Sequence, residues 1–158
     1  MVEARATGYD GLSSRLVPER ELRAFLLDCF EVGERELFVG HVDLVHEALR
    51  DVPKDVVYAV FCTYSQASGH FAMSFEVGVE GRLAGRIGRR EFIRRFAARF
   101  DAYVLYGDDE EPPGLWTVIL PDGDRLLAGT DEEDGTVIYA ATAPIPGLPE
   151  ILVDEGLR

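Results

Sequence analysis

Between Glu19 and Phe30 the apolar residues Leu22, Phe25, Leu26, Cys29 and Phe30 recur with the i, i+3, i+4, i+7, i+8 spacing of a helix that buries one face. Pro18 suits its first turn and Gly33 marks its end. A shorter helix is predicted over 42–51, where Val45, Ala48, Leu49 and Val52 repeat the spacing and Pro53 closes it. A third spans 89–100 (RREFIRRFAARF), burying Phe92, Ile93, Phe96 and Phe100 and turning Arg94, Arg95 and Arg99 outward.

Elsewhere the pattern changes to that of strands. Residues 56–64 (VVYAVFCTY) are β-branched, aromatic and apolar on both faces, which predicts a strand covered on both sides. From His70 to Glu80 the chain alternates: Phe71, Met73, Phe75, Val77 and Val79 on one face, His70, Ser74, Glu76 and Glu80 on the other. That is a half-exposed strand, forming a hairpin with its predecessor. Four more strands are predicted as a meander over 102–106, 115–120, 125–130 and 136–143, with the Pro121-Asp122-Gly123-Asp124 turn at the centre.

Residues 1–17 show no period and contain Gly8, Gly11, Ser13 and Ser14, so a loose N-terminal arm is expected. The Pro-rich tail 144–158 is expected to run extended over the surface of a single domain formed by 18–158. The fold class is thus α+β: about three helices on one face of a largely antiparallel sheet of about six strands, in the order α-α-β-β-α-β-β-β-β. That element order is similar to the cone-shaped ketosteroid-isomerase-like fold. The resemblance implies a small-molecule cavity between sheet and helices, lined by Tyr58, Tyr64, His70, Asp101 or Tyr103, and is kept as the alternative functional reading.

Composition narrows the function. With 158 residues, 47% of them hydrophobic, the chain is long enough for a core of ordinary size without disulfides. It lacks the ~20-residue apolar run of a membrane span and the basic-then-apolar order of a secretory leader, so a cytoplasmic location is expected. The net charge of −13 argues against nucleic acid or an anionic membrane as partner.

No catalytic, metal or cofactor motif survives inspection, and no cofactor is expected. His46-Glu47-Ala48-Leu49-Arg50 begins like a zinc-protease helix, but its second ligand position is Arg50, which cannot bind zinc. His41 and His46 would stand about 140° apart on a helix, which prevents joint chelation. Cys29 and Cys62 lie in apolar runs as buried thiols, and a pairing of Cys62 with His70 would leave the thiol protonated. The glycines of residues 78–88 lack both the phosphate-loop ending and the dinucleotide spacing, and read as a flexible lead into the third helix.

The charge map carries the remaining signal. Residues 82–99 hold seven Arg and one Glu, whereas residues 100–158 hold fourteen acidic and two basic residues. Two runs, Asp108-Asp109-Glu110-Glu111 and Asp131-Glu132-Glu133-Asp134, precede alternate strands of the meander, so both must fall at the same end of the sheet. Arg89 and Arg90 are expected near that end. Tyr106 and Trp116 border the first run as candidate aromatic anchors. These ten residues form the candidate partner-binding set. The expectation is a non-enzymatic acidic protein of the immunity or antitoxin type that binds a basic protein such as a toxin or secreted effector. Its oligomeric state is not legible from sequence.

Overall fold

A computed structural model describes residues 7–108 and 111–157. Nine strands form one sheet in the order β2-β3-β4-β1-β5-β6-β7-β8-β9. They are β1 (Thr7–Ser13), β2 (Leu37–His41), β3 (Val60–Gln66), β4 (Met73–Val79), β5 (Val104–Tyr106), β6 (Trp116–Ile119), β7 (Arg125–Asp131), β8 (Val137–Ala141) and β9 (Leu152–Val153). The pairs β2–β3 and β8–β9 are parallel and the rest antiparallel. The α-helices are α1 (Glu19–Phe30), α2 (Val45–Ala48), α3 (Gly81–Ala84) and α4 (Arg89–Phe100). Four helices and nine strands, among the described residues, correct the expected three and six.

The two long helices form where their apolar stripes predict. The buried side of α1 is Leu22, Phe25, Leu26, Cys29 and Phe30; that of α4 is Phe92, Ile93, Phe96, Ala97 and Phe100. Their rings pack into those of the sheet: Phe96 stacks on Phe75 at 4.7 Å and meets Phe25 edge-on at 5.6 Å. Each such burial contributes roughly 2–3 kcal/mol. Phe25, Phe75, Phe92 and Phe96 pack together in the layer between helices and sheet. The tyrosines expected to line a cavity are dispersed: the Tyr64 hydroxyl donates to Glu19 at 2.9 Å, and that of Tyr103 to the His70 carbonyl at 2.7 Å.

The largest correction concerns the ends of the chain. Instead of a loose arm, residues 7–13 form an interior strand: β1 pairs with β4 over seven residues and with β5 through Leu12↔Leu105 and Ser13↔Val104. Two glycines and an aspartate lower its intrinsic strand preference, so its conformation is set by the neighbours on either side. The tail is equally structural. Ile145, Leu148 and Ile151 are buried against Phe71, Leu105, Val118, Leu126 and Ile138, a second core on the sheet face opposite the helices. β9 then extends the sheet.

Smaller shifts have local causes. The apolar run at 56–64 becomes strand only from Val60; Val56 and Val57 are exposed. The predicted 42–51 helix shrinks to a 3-10 turn (Val42–Leu44) and α2, and exposes Val42 and Leu44. The meander follows its prediction closely. Its central turn closes with Leu120 N–H on the Asp124 carbonyl at 2.9 Å, and Gly123 takes the positive φ of 97° that the turn requires.

Candidate functional site

The meander brings both acidic runs to one end of the sheet. Trp116, at the start of β6, stands opposite Ala128, midway along β7, and β7 runs on past it to Asp131, so the β5–β6 and β7–β8 connections fall at the same end. Trp116, Asp131, Glu132 and Tyr139 line one concavity there, of about 470 Å³. The two runs nevertheless differ in chemistry.

Asp108 and Glu111, the described residues of the first run, are folded inward. The Asp108 side chain is only 11% exposed, and its Oδ2 accepts from Arg90 Nε at 2.7 Å and from Arg125 Nη2 at 3.1 Å, with the Tyr106 hydroxyl at 3.4 Å. Glu111 accepts the Asp108 backbone N–H at 3.0 Å through Oε1 and the buried Thr117 hydroxyl at 2.6 Å through Oε2. Tyr106 is core, 1% exposed, and its hydroxyl pKa is raised chiefly by burial. Asp108, Glu111 and Tyr106 are thus tied into an internal lock by these bonds. Asp109 and Glu110 lie outside the described residues.

The second run is folded outward. Asp131, Glu132, Glu133 and Asp134 are all exposed, and none forms an ion pair among the described residues. The Asp131 carboxylate accepts the Glu133 N–H at 3.2 Å, which shapes the turn. Trp116, 36% exposed, lies beside this run.

The arginine-rich stretch does not neutralise the second run, because it is engaged elsewhere. Arg82 pairs with Glu80 and Glu36, Arg86 with Glu31, Arg94 and Arg95 with Glu91, and Arg99 with Asp28. The two guanidiniums hold the Glu91 carboxyl down at about 2. Arg89 and Arg90 do reach the acidic end as expected, at Gly107 and Asp108 respectively.

The structure also assigns the rejected chemistry. Cys62 is fully buried and desolvation pushes its thiol up to about 12. It stands opposite Val77, while His70 lies outside β4 and uses Nδ1 to accept the Ile138 N–H at 3.0 Å. His41 likewise accepts the Asp43 N–H at 3.1 Å. Among the described residues no group of three potential ligands could hold a metal, and no helix is long and apolar enough to cross a membrane.

Sequence reasoning missed a further feature. On the face opposite the helices, a cleft of about 400 Å³ opens where β1 parts from β5, bounded by Gly8, Asp10, Glu76, Arg89, Trp116 and Glu132. It continues over β4 and β3 toward Val42, Val45 and Phe61. The alternation of β4 had placed Glu76 outward, but Asp10 sat in the stretch read as an arm.

Comparison of the chain with protein-family models, with curated proteins and with solved structures finds no match.

Proposed function

We propose that this chain is a non-enzymatic binding protein that acts in the cytoplasm and captures a basic protein through the acidic end of its sheet. The observation that carries the reading is the exposed run Asp131–Asp134 beside Trp116, without an ion pair among the described residues, on a molecule whose arginine-rich stretch pairs Arg86, Arg94 and Arg99 with other carboxylates. Unscreened carboxylates at one pole steer a basic partner during encounter, and an adjoining aromatic ring supplies apolar contact once it has docked.

An immunity or antitoxin role fits better than a holding chaperone. A surface built on a continuous nine-stranded sheet is preformed, and carboxylates on it imitate the polyanion that a basic active site would otherwise bind. The test is affinity capture by the tagged protein at low salt, followed by binding of the recovered partner to a variant carrying Asp131→Asn, Glu132→Gln, Glu133→Gln and Asp134→Asn. A basic partner whose affinity drops about tenfold or more supports the reading. A partner bound equally well by the variant contradicts it.

A further inference from the structure

The sheet face opposite the helices is treated differently in its two halves. Over β5–β8 it is covered by the chain's own tail through Ile145, Leu148 and Ile151. Over β4 and β1 it has no such cover among the described residues, with Val42 and Val45 flanking it beside β3, and the register sets the small residues Gly8 and Gly78 directly opposite each other at its centre. One step along, Asp10 faces Glu76 across the same two strands. Both carboxylates are exposed, and neither has an ion pair among the described residues. Like charges directly opposite in a sheet oppose its formation.

The glycines here do not answer to the fold. A Cβ on Gly11 would stand 2.8 Å from the buried Phe75 Cζ and 3.2 Å from the Leu105 carbonyl, so that position excludes a side chain. A Cβ on Gly78 would meet nothing nearer than the Phe61 carbonyl at 3.9 Å, and one on Gly8 only the Asp10 carboxylate at 3.6 Å. Neither residue has a positive φ. Glycine inside a strand weakens it, and where the fold leaves room for a side chain its use is to let another chain approach the backbone closely. The two clefts that meet over Gly8, Asp10 and Glu76, of about 400 and 510 Å³, form one groove with this glycine floor. Its ends are apolar, with Val42, Val45 and Phe61 at one and Leu12 and Trp116 at the other. Three carboxylates, of Asp10, Glu76 and Glu132, line it against one guanidinium, that of Arg89.

We infer that this groove receives an amphipathic basic segment of the protein partner, with an Arg or Lys over Asp10 and Glu76 and apolar side chains toward the two ends. The inference rests on the acidic-binder reading for the partner's charge and adds where and how that partner is held. Apolar ends with acidic centre select such a segment over a uniformly charged one.

Trp116 is the only tryptophan and borders both the groove and the concavity beside Asp131, so its emission reports binding at this end and the groove variants assign the place. The probe is a short synthetic peptide alternating Arg with Leu, with a Glu–Leu peptide as its control. Binding of the basic peptide is expected to shift Trp116 emission to shorter wavelength and to saturate, while the acidic peptide has no effect. Asp10→Asn with Glu76→Gln, and separately Gly78→Val, should each weaken that binding about tenfold. The first pair removes a like-charge opposition and the last adds a β-branched side chain in open space, so both variants should melt no lower than the parent; Gly78→Ala is the milder substitute. An emission that ignores the basic peptide, or a response unchanged in both groove variants, overturns the inference. A recovered partner separates the two proposals. Sensitivity to neutralisation of Asp131–Asp134 but not to the groove variants overturns the groove alone, and indifference to both sets overturns both.

Discussion

Two acidic runs, twenty-odd positions apart and brought to the same end of one sheet, have opposite fates in their described residues. In the first, Asp108 sits between Arg90 and Arg125 and Glu111 is held by Thr117 and a backbone N–H. In the second, all four carboxylates face solvent. The difference does not come from the acidic residues themselves but from what the neighbouring elements bring to them. The first run leaves β5 beside the N-terminal turn of α4 and the start of β7, each of which supplies an arginine; the second leaves β7 and forms no ion pair among the described residues. Negative charge marks a binding surface only where the fold leaves it unanswered.

Breaking the lock should therefore be costly where relaxing the exposed run is not. Asp108→Ala is expected to lose about 2 kcal/mol in urea unfolding, because three donors lose their acceptor, although the half-exposed arginines recover part of that from water. Thr117→Val should cost about 1 kcal/mol by removing the hydroxyl that fixes Glu111, with the buried volume preserved. A melting temperature indifferent to both would show the first run to be as free as the second.

The helix arginines sharpen the contrast by titration. Glu91 is held near 2 by Arg94 and Arg95, below its ordinary 4.5. A carboxyl depressed in the folded state contributes stability above its unfolded pKa and loses it as pH falls toward the folded one. The urea midpoint should decline across that acid range, and Glu91→Gln should shrink the decline. The smallest effect belongs to the second run: neutralising all four of its carboxylates should change stability by no more than about 0.5 kcal/mol, with any change in the stabilising direction.

What could be read in advance follows the same physical line. The helices α1 and α4 and the four-stranded meander were legible because one buried face imposes a period, and strand alternation alone put both acidic runs at one end. The interior strand β1 was not, because Gly8, Asp10 and Gly11 leave Tyr9 and Leu12 as its only large apolar side chains. The tail was hidden by its prolines, although Ile145, Leu148 and Ile151 recur three apart. The lock on Asp108 depends on Arg90 and Arg125, each more than fifteen residues away in sequence. The groove depends on Gly8 meeting Gly78, seventy residues apart. Neither juxtaposition exists until the sheet order is known.

The most direct measurement of the central claim is the association rate of the recovered basic partner as a function of salt, taken side by side for the parent, Asp108→Asn and the variant neutralised at Asp131, Glu132, Glu133 and Asp134. The parent and Asp108→Asn should share a steep decline with ionic strength, while the variant neutralised at the second run associates slowly at low salt and shows a flattened dependence. A common slope for all three proteins, or a flattening produced by Asp108→Asn instead, would contradict the account.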